Sequence, residues 1–152
     1  MKHITLASIL VAGLCLVGCA KPPTAKEFLA KEGKCLECYC RSNALTAEAA
    51  LLDCVLYAQK CQKAGVNDIL YDEVFARMYG RLYLVERHLG HNADAEQYLE
   101  KYAHFHGIAG SLARYTGRPH GEMERLIEQK FDSKLQVAWK VGPRTNATDP
   151  PQ

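Results

Sequence analysis

DILYDEVFARMYGRLYLVERHLGHNADAEQYLEKYAHFH, residues 68–106, decides the fold. Leu70, Val74, Met78, Leu82, Val85 and Leu89 recur at steps of three and four, which lines them along one side of a helix beginning at Asn67 or Asp68. Gly90 follows the last of them and can take the left-handed conformation that ends a helix. Asn92 is a helix-capping residue, and Ala95, Tyr98, Leu99, Tyr102 and Phe105 then share one face of a second helix, Ala93 to about His106, with Gly107 beyond it. So short a connection makes the two helices antiparallel neighbours. No segment alternates with a period of two, so the expected class is all-α.

The same punctuation extends in both directions. Upstream, Thr46 caps a helix to about Lys63 whose apolar positions are Ala50, Leu51, Cys54, Val55, Ala58 and Cys61, and Gly65 closes it. Before it, Thr24 caps a short helix from Ala25 to Glu32 with Gly33 placed to end it; cysteines dominate Lys34 to Arg41, and Ser42-Asn43 reads as a turn. Downstream, a shorter helix lies between Gly107 and Tyr115, and Pro119 or His120 opens one that reaches Phe131 or continues toward Trp139. Residues 142–152, with Pro143, Pro150 and Pro151 and almost nothing apolar, read as a disordered tail. The expectation is one domain, residues 26–141, of antiparallel helical hairpins. Length agrees: 152 residues, 48% apolar and 24% charged, suit a single globular domain. Nineteen Lys and Arg against seventeen Asp and Glu leave no one-signed field, which excludes an electrostatic case for nucleic acid.

The first eighteen residues read as an export signal. Lys2 supplies the positive start, and Ile4 to Val17 is an uncharged apolar run of 14 residues. As a helix it would reach only about 21 Å, short of a ~30 Å hydrocarbon core. Leu16-Val17-Gly18-Cys19 resembles the lipobox of bacterial lipoproteins. That resemblance implies a diacylglyceryl group on the Cys19 thiol, cleavage before it and acylation of the new amine, so that the mature chain begins at Cys19. Several acyl chains, at about 0.8 kcal/mol per buried methylene, anchor durably where one would be marginal. Residues 19–25, with Pro22 and Pro23, then form an extended tether. Ala20 and Lys21 follow the lipidated cysteine where an Asp would favour inner-membrane retention, so in a Gram-negative host the resemblance implies the outer membrane, facing the periplasm.

The helix pair at 68–106 is similar to a tetratricopeptide repeat. Tyr79, Leu82, Gly90, Ala95, Leu99 and Tyr102 fall at the family's offsets, while Tyr83 stands where the family has a small residue. Arg114, Gly117 and Leu126 repeat Arg87, Gly90 and Leu99 after 27 residues, against the family's spacing near 34, and the resemblance covers about 68–131. It implies a fold that binds other proteins. A generic small helical bundle accounts for the same offsets.

With Cys15 in the signal and Cys19 lipidated, the domain keeps Cys35, Cys38, Cys40, Cys54 and Cys61. An exported chain makes disulfides the default, at most two bonds with one thiol over. Cys54 and Cys61 sit about 10.5 Å apart along one helix and cannot bond each other. A Cys35–Cys40 segment folded back against that helix favours nested pairs, Cys40 with Cys54 and Cys35 or Cys38 with Cys61, stapling the N-terminal segment. The competing reading takes Cys35, Cys38 and Cys40 as a metal or thiol-redox cluster, because Cys35-Leu36-Glu37-Cys38 has the zinc-knuckle and thioredoxin spacing.

The histidines divide into His88 and His91 around Gly90, and His104 and His106 at the far pole, with His120 later; dipole complementation and solvation account for them, and a surface copper or zinc site at His104, His106 and His120 is the alternative. Tyr71, Tyr79, Tyr83, Tyr98, Tyr102 and Tyr115 cluster in the hairpin region as core or interface residues. No catalytic set emerges: Ser111 lacks a nucleophile elbow, and Glu122, Glu124, Glu96 and Glu100 lie among bases on amphipathic helices. The expectation is therefore a non-enzyme without cofactor or metal, anchored to an envelope membrane and engaging a protein partner. A metal-binding or thiol-redox lipoprotein, and an immunity or exclusion lipoprotein, are the alternatives.

Overall fold

A computed structural model describes residues 21–106 and 120–140. They form five helices, α1 (Ala25–Arg41), α2 (Ala44–Lys63), α3 (Tyr71–Leu89), α4 (Asn92–Phe105) and α5 (His120–Phe131), and a 3-10 turn at Ala138–Lys140. Among the described residues there is no strand, so the class is all-α. The signal, Cys19, the 107–115 helix and the 142–152 tail lie outside the described residues.

Thr24 starts α1 as expected, through a reciprocal capping box: its Oγ1 accepts from the Glu27 amide and the Glu27 carboxylate accepts from the Thr24 amide, both at 3.2 Å. The helix does not stop at Gly33. It runs to Arg41, so the cysteine-rich stretch is its second half rather than a folded-back strap. A mid-helix Gly costs only about 1 kcal/mol. Continuing the helix buries Cys35 and Tyr39, which outweighs that cost. Asn43, not Thr46, caps α2: its Oδ1 accepts from the Thr46 amide at 2.9 Å, so α2 begins at Ala44. Gly65, at φ 75°, ends α2 as expected.

Contacts across each hairpin pair positions of near-constant summed number, the mark of antiparallel helices. Lys31 meets Asp53 and Tyr57 meets Glu27 between α1 and α2. Tyr79 stacks on Tyr98, and Phe75 meets Phe105 at a tilt, between α3 and α4. α3 starts at Tyr71, not at Asn67 or Asp68, and Leu70 is exposed outside it. It is the central helix, buried from Met78 to Glu86 without a break, because α2, α4 and α5 pack around it. The small residue that permits this is Gly80, where a Cβ would stand 3.1 Å from Ile127 and 3.3 Å from Tyr102. Tyr83 is itself fully buried. Asn92 is the first residue of α4 and not its cap; its Oδ1 accepts from Arg87 instead.

α5 ends at Phe131, and the chain turns back so that Trp139 packs edge-on against Tyr39 of α1, ring centres 5.5 Å apart. Asp132 anchors that return: Arg81 Nε donates to one carboxylate oxygen and the Tyr39 hydroxyl to the other, each at 2.7 Å, with all three side chains buried. Burial and the neighbouring Asp132 charge push the Tyr39 phenol far up. No helix among the described residues is long and apolar enough to cross a membrane.

Candidate functional site

The extended α1 rearranges the cysteines. All five described thiols are unpaired. Because both partners are helices, residues facing across the α1–α2 hairpin have numbers summing to about 84 to 89, and this sets Cys35 against Cys54 rather than Cys40 against Cys54. Cys61 falls opposite the start of α1, near Glu27, out of reach of Cys35 and Cys38. The nested pairing expected from a folded-back strap is thus replaced by one facing pair. The Cys54 thiol donates to Cys35 and, with the Arg81 charge, holds it below the usual thiol range against the effect of burial; the same bond, then burial, drives Cys54 upward. Cys40 turns toward Arg81 and Asp132, where burial raises it, and Cys38 is half-exposed. At 100° per residue Cys35, Cys38 and Cys40 point in three directions. They do not converge as a ligand set.

The outer side of α2 carries a feature that the periodicity of its buried row conceals. Ala47, Leu51, Cys54, Val55, Ala58 and Cys61 enter the core. Leu45, Ala49, Leu52 and Leu56 form a second row at steps of four, three and four on the opposite side, and Leu45 and Leu56 are 63% and 64% exposed. Leu29 of α1, also exposed, lies across the hairpin from Leu56. The signal was legible, since α2 reads as apolar on two faces, but only one face was assigned.

A cavity of about 340 Å³ opens between α3, α5 and the C-terminal turn, lined by Leu84, Arg87, His88, Glu124, Trp139 and Lys140. Its cations are already engaged: Arg87 Nε donates to Glu124 at 3.2 Å and Lys140 pairs with Glu128 at 2.9 Å. His88 meets the Trp139 ring edge-on at 5.1 Å.

At the α3–α4 turn, Glu86, His91 and Asp94 gather, their donor atoms within 4.8 Å of one another. Among the described residues they are the metal-capable group of three or more. Glu86 is 2% exposed and meets His91 Nδ1 at 2.9 Å through Oε2. Burial pushes its carboxyl up, and the adjacent Glu48 adds to this while His91 opposes it. Sequence reading placed His91 at the turn but missed Glu86 and Asp94, which only the chain reversal at Gly90 brings beside it.

His106 stands apart from any shared site, between Tyr102 and Phe131, with Nδ1 3.2 Å from the Lys130 ammonium; the side chain of His120 lies outside the described ones. Of the tyrosines, Tyr79, Tyr83 and Tyr102 are core residues, Tyr71 and Tyr98 are half-buried, and Tyr115 lies outside the described residues. No protein-family model, curated protein or solved structure matches this chain.

Proposed function

We propose that the chain is a cell-envelope lipoprotein, anchored through acylated Cys19, that works without catalysis as a protein-interaction or assembly factor. The observation that carries the interaction reading is the outer row of α2. A helix apolar on two sides is expected to be covered on both, and Leu45 and Leu56, with Leu29 of α1, stand exposed, while Leu52 between them is half-buried. Burying three leucines is worth about 1.5–3 kcal/mol each. Together that is about 4.5–9 kcal/mol before the cost of association, against about 8 kcal/mol for a micromolar interface. The membrane anchor supplies the rest by confining the protein to a surface where its partner's effective concentration is high.

Under the same reading the helical hairpins are tetratricopeptide-like, and the α1–α2 hairpin is stapled in the oxidising compartment by a Cys35–Cys54 disulfide. The anchor is tested by mass spectrometry of the mature N-terminus, where a chain starting upstream of Cys19 with a free thiol refutes it. The interaction is tested with a photo-crosslinking residue at position 49, in the same exposed row, in intact cells. A discrete adduct that disappears in Leu45→Glu/Leu56→Glu, at unchanged helix content and membrane level, is expected; its persistence refutes the assigned face.

A further inference from the structure

The hairpin α3–α4 is closed by a rigid turn. Gly90 takes φ 82°, its amide donates to the Arg87 carbonyl at 3.2 Å, and the His91 amide donates to the Glu86 carbonyl at 2.9 Å. The second bond folds the His91 ring back onto the last turn of α3, over the side chain of Glu86. Asp94, in the first turn of α4, arrives on the same side. Backbone hydrogen bonds thus fix the turn that brings His91 and Asp94 beside Glu86, part of the preorganisation that ligand sites require.

Charge is unbalanced there. Glu86 is almost wholly buried, yet its surroundings are Glu48 of α2, Asp94 and the half-buried Tyr98 phenol, with His91 as the nitrogen donor. Arg87, nearest in sequence, turns away to Glu124 and Asn92. Among the described residues no Lys or Arg is ion-paired with Glu48, Glu86 or Asp94. Glu86 has His91 and the Glu48 carboxyl as hydrogen-bond partners, and of these only His91 can carry positive charge, and only when protonated, where a buried carboxylate ordinarily has a cation or full hydrogen bonding.

We infer that Glu86, His91 and Asp94 bind a divalent first-row transition cation, with Glu48 as a further carboxylate beside them. One imidazole and two carboxylates suit Zn²⁺, Co²⁺, Mn²⁺ or Fe²⁺; Mg²⁺ and Ca²⁺ prefer all-oxygen cages. Ligation through Nδ1 places the imidazole proton on Nε2, and the ring is 52% exposed, so that proton can meet water. Asp94 and His91 stand at the surface, which provides the entry path. The site contains no sulfur and lies away from the Cys35–Cys54 face.

Cobalt titration of the detergent-solubilised, chelator-treated full chain tests this. One equivalent of Co²⁺ should bind with visible d–d absorption and no intense near-ultraviolet sulfur-to-cobalt band. Glu86→Gln, His91→Ala and Asp94→Asn should each weaken binding about tenfold or more, while Cys35→Ser leaves it unchanged. Asp94→Asn alters an exposed side chain, so it reads binding without disturbing the fold. Absence of saturable binding, a sulfur-to-cobalt band, or wild-type affinity in Asp94→Asn would overturn the assignment.

Discussion

Replacing Asp132 with alanine would remove the acceptor that holds three parts of the molecule together. Arg81 donates to one of its oxygens and Tyr39 to the other, each at 2.7 Å, and the side chains of Arg81 and Asp132 are 7% and 2% exposed. Solvent therefore screens this pair little, unlike the surface pairs at Lys21 and Arg41. Without Asp132 the guanidinium is left as an uncompensated buried cation, which costs about 3–5 kcal/mol. Against a typical total of about 5–15 kcal/mol, the variant would sit near the edge of folding. Tyr39→Phe, which removes one hydrogen bond to a charged acceptor, should cost about 1.5–3 kcal/mol. The triple change Tyr39→Phe/Arg81→Met/Asp132→Leu removes every buried polar partner at once and should recover most of the loss. Urea unfolding followed by circular dichroism measures all three. A cost below about 1 kcal/mol for Asp132→Ala, or a triple variant no more stable than the single one, would refute the account in which the penalty comes from stranding a charge.

Other outcomes follow from the packing and the ionisable groups. Gly80→Val places two methyls beyond a Cβ already 3.1 Å from Ile127, and overpacking should destabilise by about 1–3 kcal/mol in the same unfolding assay. The His106 imidazole is held below its ordinary range by burial and by Lys130, whose ammonium donates to Nδ1. A base with a depressed folded value binds fewer protons folded than unfolded, so stability should fall as pH drops below about 6.5 toward the depressed value; His106→Gln should flatten that slope, and an unchanged acid limb would count against it. Under the proposed export, alkylation and mass spectrometry of the protein isolated without reductant should find Cys35 joined to Cys54 and Cys38, Cys40 and Cys61 free, with Cys54→Ser losing about 3 kcal/mol; a Cys40–Cys54 peptide would refute the register.

What could be read in advance was set by local chemistry. The apolar period of α3, Gly90 as its terminator, Thr24 as the cap of α1 and the end of α2 at Lys63 depend on residues within a turn or two of one another. The errors share one cause. Gly33 looked like a stop and Cys35 to Cys40 like a strap, because the gain from burying Cys35 and Tyr39 exists only once α2, α3 and Trp139 are in place. Gly80 gave no sign that it, and not the position of Tyr83, carries the close approach.

The sequence by itself determined that the chain is helical and where most helices end, since each rests on short-range order along the chain; the resemblance to a lipobox at Leu16–Cys19 likewise lies in adjacent residues. Only the tertiary structure decided which cysteines face each other, that α2 has an outer apolar row left open, that Asp132 reaches Arg81 fifty-one positions away, and that Glu86, His91 and Asp94 meet. Those depend on helix register and on a chain reversal, where a shift of one residue rotates a side chain by about 100° and changes every partner it has.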